Sequence, residues 1–312
     1  MRQIRAGRLR PGLRPQHVAA VRATALACGA RVGGVFDGSP DLRFEPGPLA
    51  PGSFRFEIGT AGSAPLVLQT VLPPLATADA PSRVEVTGGT HVPASPSHDY
   101  LARHWAVAVE ALGLRLRLAL LRAGFYPRGG GEIRADVSSW TRPASLVLEQ
   151  RGALVAVHGV SGAAHLKGDV ARRQRDAAQA LLWERRRIEA GWEASEGVPS
   201  ATPGSFLQLE AVFEKSRAAF GLLGERGVRA EIIGERAARL LLRFLDAEGA
   251  VDPHLADQLG VPLALARGGG RVTTSEVTRH LETVVEVLGL FGVRAQVLGV
   301  RGGHGGLEVE RC

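Results

Sequence analysis

Cysteine, methionine, tyrosine and aromatic side chains in general are scarce in this 312-residue chain: Cys 2, Met 1, Tyr 2, and all aromatics together 5%. Two cysteines, Cys28 and Cys312, exclude a disulfide framework. Cys28 sits among apolar residues and reads as a small core residue rather than a nucleophile. Few aromatics mean few platforms on which bases could stack. No window approaches the ~20 apolar residues of a membrane span, and the basic start, Met1-Arg2-Gln3-Ile4-Arg5, lacks the apolar core of a signal peptide. The chain is expected to be cytoplasmic, with no membrane partner.

Lysine is also rare, so the formal charge of +7 and the pI of about 10.5 come almost wholly from arginine. Guanidinium forks suit phosphate, and a basic surface favours a polyanionic partner such as RNA, DNA or a nucleotide. An arginine-rich composition also follows from a GC-rich genome, so charge alone only permits that partner. With 45% hydrophobic and 22% charged residues, the chain has ordinary globular composition and enough length for one large or two smaller cores.

One local grammar recurs. A helix over Gln16 to Cys28 stops at Gly29, before a strand, a turn and a second strand, Asp41 to Phe44. A strand over Arg83 to Val86 runs into Gly88-Gly89-Thr90, then a helix from His98 to Leu112 stopped by Gly113. Strands Leu114 to Leu121 and Gly131 to Val137 follow. Near the C-terminus, Gly268-Gly269-Gly270 and Val272 precede a helix from Glu276 to Leu288 stopped by Gly289. Strands Arg294 to Val300 and Leu307 to Glu310 come next, with Arg301 to Gly306 between them. Loop, helix, glycine stop and hairpin are the repeated parts, which suggests related α/β modules. The stretch from Gln179 to Asp246 breaks the pattern with a charged helix around Trp183 to Arg187, a turn-rich stretch and a second helix, Glu235 to Leu245. It reads as an inserted subdomain. The expected division is 1–178 for two modules, 179–246 for the insert and 247–312 for a third.

Several segments could carry chemistry. Ile4 to His17 holds Arg5, Arg8, Arg10 and Arg14 before a helix start, where Gln16 and His17 stand. Such an end attracts anions, although a basic tail has the same composition. Ile58-Gly59-Thr60-Ala61-Gly62-Ser63 leads from a strand into an apolar helix, the shape of an anion cradle, but without the ending of a Walker loop. Gln69 sits in that apolar run and must satisfy its amide, by a neighbouring loop or a ligand. Gly129-Gly130-Gly131 is a weak signal that also fits a hairpin turn. His254-Leu255-Ala256-Asp257-Gln258, the run Val261 to Ala266, Gly268 to Gly270 and Arg279-His280-Leu281-Glu282-Thr283 supply a polar cluster, a glycine loop and a histidine near a helix start. Imidazole can attack an activated phosphate at neutral pH. His91, His98 and Asp99 lack convincing metal spacing.

In that order, these segments resemble the RNA 3′-terminal phosphate cyclase family. The matches are Ile4 to Arg8 with Pro11 to His17, Ile58 to Ser63, Gly88 to Thr90, Phe125 to Gly131, and His254 to Gln258. The resemblance implies an α+β fold of three βαβαββ-type modules with a smaller inserted α/β subdomain. It implies an ATP-dependent, AMP-forming enzyme of the ligase class that uses a divalent cation, Mg²⁺ or Mn²⁺. In the implied reaction, an RNA 3′-terminal phosphate becomes a 2′,3′-cyclic phosphate through histidine-AMP and RNA-adenylate. By position His280 matches the adenylated histidine. Gln69, Pro96, His254, Leu255, Ala256, Asp257 and Gln258 match the ATP pocket. RNA or phosphate contacts are expected from Arg5, Arg8, Arg10, Arg14, Gln16 and His17; no metal ligand is assigned.

Three positions depart from the family pattern. The family's opening strand and Glu-Gly-Gly-Gly-Gln loop would precede Ile4, so that either the start is misassigned, the sequence is cut or the element is truly lost; Ala123 stands where a basic residue is usual, and Val284 follows Thr283 where bacterial members commonly have Asn. The alternative is therefore a non-catalytic RNA-binding or RNA-processing relative, inactive for want of the glycine-rich opening loop. An enolpyruvyl-transferase-like enzyme gives Asp257, Gln258 and His280 no role.

Overall fold

The computed structural model describes residues 1–266 and 268–310. It is an α+β fold of small sheets, with no barrel among the described residues. The chain divides into two compact units. One comprises 1–101, 114–141 and 199–203; the other comprises 102–113, 142–198 and 204–312.

The first unit opens with α1 (Pro15–Ala27). Pro15 at the first helical position is pre-set for the turn, and an alanine-rich run carries the helix to Cys28, where Gly29 takes a positive φ of 56°. Two short antiparallel strands follow, β1 (Arg31–Gly33) and β2 (Arg43–Glu45). Then come β3 (Ser53–Glu57), α2 (Ala64–Ala76), β4 (Ser82–Gly88) and α3 (His98–Tyr100). A π-helical turn, Leu101–Trp105, and α4 (Ala106–Glu110) continue the chain, with residues 102–113 belonging to the second unit, so the helix expected over His98 to Leu112 is present as one unbroken run, 98–110, with a π turn inside it. β5 (Leu116–Arg122) and β6 (Gly131–Val137) complete the main sheet.

That sheet has the order β3-β4-β6-β5. β3 and β4 are parallel and therefore need a crossover, which α2 supplies; the other pairs are antiparallel. Ile133, Ala135 and Val137 are buried, alternating with Glu132, Arg134 and Asp136, the period of a sheet with one face on a core. The charged face pairs across strands: Arg55 with Glu132 at 2.9 Å, Arg134 with Glu85 at 2.8 Å, and Arg83 with Asp136 at 2.7 Å.

The second unit contains β7 (Leu146–Leu148), β8 (Leu154–Ala164), α5 (Val170–Arg186), β9 (Gly191–Ser195), β10 (Gly204–Phe213), β11 (Arg217–Leu223) and α6 (Ala230–Asp246). Beyond them lie α7 (Pro253–Gln258), α8 (Gly260–Leu265), β12 (Gly270–Thr274), α9 (Arg279–Leu290), β13 (Ala295–Gly299) and β14 (Gly305–Val309). One sheet has the order β11-β10-β8-β9 and the other β13-β14-β12-β7.

The layer from Leu154 to Asp246 packs α5 and α6 on the first of these sheets. Its core includes Val157, Leu182, Leu207, Leu209, Leu241 and Phe244. Arg151 caps the end of α6, donating to the carbonyls of Phe244, Leu245 and Ala247 at 2.7–3.1 Å. The last carbonyls of a helix lack intrahelical donors, and a cation there also opposes the helix dipole.

Two glycine readings need correction. Gly289 does not end the last helix: α9 continues to Leu290, and Gly292, at φ 77°, provides the left-handed turn after it. Glycine in a helix is tolerated at about 1 kcal/mol, so its presence alone does not mark an end. Gly268 to Gly270 is a strand entry. A Cβ on Gly269 would strike the Val309 carbonyl, and one on Gly270 the Leu146 carbonyl, so these glycines serve close approaches to neighbouring chain.

α5 and α6 meet at Gly234, where an added Cβ would collide with the Gln174 carbonyl. We expect Gly234→Ala to destabilise the protein by about 1–3 kcal/mol, although alanine is the better helix former. Urea unfolding measures it; equal or higher stability would show that the two helices separate freely.

Candidate active site

In the first unit, the arginine-rich segment folds back on itself. Ile4 N–H donates to Pro40 O at 2.8 Å and Gly12 N–H to Ile4 O at 2.8 Å. Arg5 is partly engaged inside this loop, its Nη1 donating to Arg10 O at 3.0 Å and Gly12 O at 3.1 Å. Arg8 and Arg10 are exposed. Arg14 pairs with Asp37 at 3.2 Å.

His17 accepts from the Arg14 backbone N–H through Nδ1 at 2.9 Å. Burial, then the charges of Arg5 and Arg14, lower its pKa. His17 is therefore a neutral start-of-helix acceptor near pH 7, and its cationic form is disfavoured.

Gln16 joins this segment to the Ile58–Ser63 loop: its Oε1 accepts from Ser63 N–H at 3.2 Å. Ser63 caps α2 by accepting from Leu66 N–H at 3.2 Å, the usual use of a serine at an N-cap. The Ser63 hydroxyl also hydrogen-bonds the Ser95 hydroxyl, and Ser95 donates to Pro96 O at 3.1 Å. Gln16 and Pro96 thus share one frame around Ser63, and Gln69 is half-buried on the helix that Ser63 caps.

The glycines of this unit form the walls of that frame. A Cβ at Gly62 would press on Gln16, at Gly89 on the Ala61 carbonyl, at Gly124 on Gly131, and at Gly129 on Ala61. Of the triplet Gly129 to Gly131, Gly129 therefore packs against the anion-cradle loop and Gly131 against Gly124. His91 and Asp99 do come together, as a buried pair with Nε2 to Oδ2 at 2.9 Å. Burial alone would raise the Asp99 carboxyl, but His91 and His98 hold it well below the usual range.

In the second unit, Asp252 organises the His254–Gln258 helix. Its Oδ1 accepts from His254 N–H at 3.1 Å and Leu255 N–H at 3.0 Å. Oδ2 meets His104 Nε2 at 2.6 Å and Ala219 N–H at 3.4 Å. His254 is exposed, Asp257 and Gln258 are half-buried, and Leu255 and Ala256 are buried, their side chains committed to packing. Trp105 Nε1 donates to Gln258 O at 3.4 Å.

Thr278 links this helix to the next. Its hydroxyl caps α9, accepting from Leu281 N–H at 3.1 Å, and stands beside the Asp257 carboxyl, whose charged form it favours. His280 lies exposed in the first turn of α9, two residues beyond that cap. Residues 302 and 303 brace the entry: Val277 N–H donates to Gly303 O at 2.8 Å and Gly302 N–H to Val277 O at 3.0 Å. Arg301 pairs with Glu282 on the same helix.

The Asp257 carboxyl is pushed up to about 7, by burial first and then by the Asp252 charge, with the Thr278 hydrogen bond acting in the other direction. A carboxyl titrating near neutrality in a polar cluster marks a functional-site candidate. Sequence reading missed Asp252, Thr278, His104 and Ser95. Asp252 was accessible to it, since Asp before Pro is an N-cap followed by a first-turn proline. The His104 partnership was not, because it joins residues 148 apart. Among the described residues, no group of three or more His, Cys, Asp or Glu converges as a metal site.

Comparison with known proteins gives one family. The family model described as RNA 3′-terminal phosphate cyclase matches residues 1–297. A protein of that name from Ralstonia nicotianae is 45% identical over 290 residues, covering 93% of this chain and 82% of its own length. One from Pseudomonas fluorescens is 43% identical, covering 92% and 83%. One from Koribacter versatilis is 41% identical over 292 residues, covering 93% and 80%.

Because its folded pKa lies above the free-chain value, Asp257 contributes stability that is complete below about pH 3.8 and lost as pH rises through about 7. Asp257→Asn keeps an acceptor for Thr278 and removes that loss. The variant should melt higher than the parent at pH 8, by an amount equivalent to at most about 4 kcal/mol, and the gap should close toward pH 4. A gap independent of pH would show that Asp257 titrates normally.

Proposed function

This chain belongs to the RNA 3′-terminal phosphate cyclase family, and from that membership we propose that it catalyses the ATP-dependent conversion of an RNA 3′-terminal phosphate to a 2′,3′-cyclic phosphate. The single observation that supports the site assignment is the packing of α7 against α9, with the hydroxyl that caps the His280 helix beside the Asp257 carboxyl. This packing supports reading the candidate nucleophile and the His254–Gln258 helix as parts of one site.

In this reading an imidazole nitrogen of His280 attacks the α-phosphorus of ATP. An N–P bond forms, the bond to the β-phosphate oxygen breaks, and pyrophosphate leaves. His280 then releases AMP to an oxygen of the RNA 3′-phosphate. The neighbouring 2′-hydroxyl attacks that phosphorus, loses its proton, and expels AMP, which makes the substrate RNA rather than DNA. Exposure of His280 leaves it open to a nucleotide. Asp257, Gln258 and His254 would contact ATP, and Gln69 and Pro96 carry the same assignment from the family motif. Arg8, Arg10 and Arg14 are the cations of the first segment best placed for RNA phosphates, since Arg5 and His17 serve the loop and the helix start. The expected Mg²⁺ or Mn²⁺ finds no converging donor set among the described residues, so no step is routed through a cation.

We read the architecture as repeated βαβαββ modules with an insert, on the same footing. Support comes from the two sheets β3-β4-β6-β5 and β7-β12-β14-β13, which share strand order and directions. In this reading the inserted α/β layer takes in β8 and α5 together with the stretch from Gln179 to Asp246. Among the described residues no helix is long and apolar enough to cross a membrane; a cytoplasmic location fits an RNA substrate.

Incubation with ATP labelled at the α-phosphate, followed by denaturing electrophoresis, tests the chemistry. Acid-labile label should appear on the protein and fall at least ~10³-fold in His280→Ala with unchanged folding. Label that persists in His280→Ala would place the nucleophile elsewhere.

A further inference from the structure

The end of α5 and the outer face of α6 enclose a groove of about 670 Å³ that the proposed chemistry does not use. It is lined by Arg185 and Arg186 from α5 and by Arg236, Arg239 and Arg243 from α6, against one carboxylate, Asp246. Leucines from both helices and from β11 form its floor. Three of these, Leu181, Leu222 and Leu242, already pack on the core beneath.

The fold does not require this charge. α6 buries Ile233, Ala237, Ala238, Leu241 and Phe244 on its inner side, and the arginines lie outside it. Their ion pairs are exposed ones: Arg239 with Glu235 at 2.8 Å, Arg236 with Glu225 at 3.4 Å, and Arg186 with Asp246. Such pairs contribute about 0–1 kcal/mol each and exchange readily for a better anion. Arg243 is exposed and has no carboxylate partner among the described residues.

We propose that this groove is an auxiliary track for the phosphate backbone of the RNA substrate, remote in sequence from the reacting histidine. The proposal rests on the reading of the substrate as RNA. Arg236, Arg239 and Arg243 lie along one helical face, spanning roughly 10 Å at the rise of an α-helix. Planar forks spaced along a line suit successive phosphates, and a basic groove that follows a strand binds without reading sequence. A protein partner is disfavoured by the same surface. Anchors at protein interfaces enter deep apolar pockets, whereas this floor is already committed to the core.

The test uses the full-length chain and the triple variant Arg236→Ala, Arg239→Ala, Arg243→Ala. The probes are single-stranded RNAs of about 20 nucleotides, with a 3′-phosphate or a 3′-hydroxyl, and a 3′-phosphorylated dinucleotide. The triple variant should bind the 3′-hydroxyl 20-mer at least ~10-fold more weakly. Its salt dependence should flatten by about two units of slope, at about 0.7 for each phosphate no longer neutralised. KM should rise for cyclisation of the long RNA and stay unchanged for the dinucleotide, and AMP labelling of His280 should be unaffected. The matched Arg→Lys triple should recover most of the binding, which a folding defect would not allow.

Equal affinity and equal salt slope in parent and triple variant would overturn the track while leaving cyclase activity standing. Loss of binding to an acidic peptide, with RNA binding intact, would overturn it in favour of a protein partner. A parent that binds the 3′-hydroxyl RNA through these arginines yet cyclises nothing would sustain the track and refute the proposed function. Binding and chemistry therefore fail separately.

Discussion

A buried carboxylate has to find all its partners within the protein, and Asp252, with no exposed surface, finds four of them. Two are the free N–H groups at the start of α7, one is a histidine from the 102–113 stretch, and one is a backbone N–H of β11. Leaving such a charge unpaired costs several kcal/mol, so α7 can occupy only the place where all four converge. His254, Asp257 and Gln258 are carried on that helix. Burial, and after it the same charge, raise the Asp257 carboxyl, which stands beside the cap of the His280 helix. The position of the α7 residues therefore descends from one side chain, which also adds to the shift at Asp257.

The first unit reaches order by a different route, through backbone approach. Gly62, Gly89, Gly124, Gly129 and Gly131 stand where any larger residue would meet main chain or a packed side chain. The high glycine content is here a packing requirement: loops from three places in the chain close on one another without side chains between them. Serine and threonine hydroxyls then supply the directional contacts, as Ser63 does for α2 and Thr90 for the Gly124 N–H at 2.9 Å.

Elements whose signal is local were legible in the sequence. β6 lies where alternation put it, and α1 differs from its expected span by one residue at each end, because Pro15 and Gly29 mark both limits. Membership of the family was legible too, from short ordered motifs. The misreadings came from glycines whose role is set by distant neighbours. Gly289 offers no steric reason to stop a helix, with nothing within 4 Å of its would-be Cβ, and Gly268 to Gly270 serves strands that join only in the folded chain. α6 begins at Ala230, ahead of the Glu235 expected, and β8 with α5 lies ahead of Gln179. Nothing near those residues announces the sheet they cover. At the site, the histidine and Asp257 were readable as residue types, whereas Thr278 and His104 acquire meaning only from partners far along the chain.

The hydroxyl of Ser63 belongs at once to a helix and to a loop. It accepts the Leu66 N–H that starts α2 and, since Ser95 gives its own hydrogen to Pro96 O, donates to the Ser95 oxygen. A hydroxyl has one hydrogen and two lone pairs, so once the hydrogen is turned to Ser95 the direction of the lone pair that holds α2 is set with it. The turn at Ser95 and the first turn of α2 therefore form one cooperative unit: a change confined to one is felt at the other, and neither can be tuned alone by substitution.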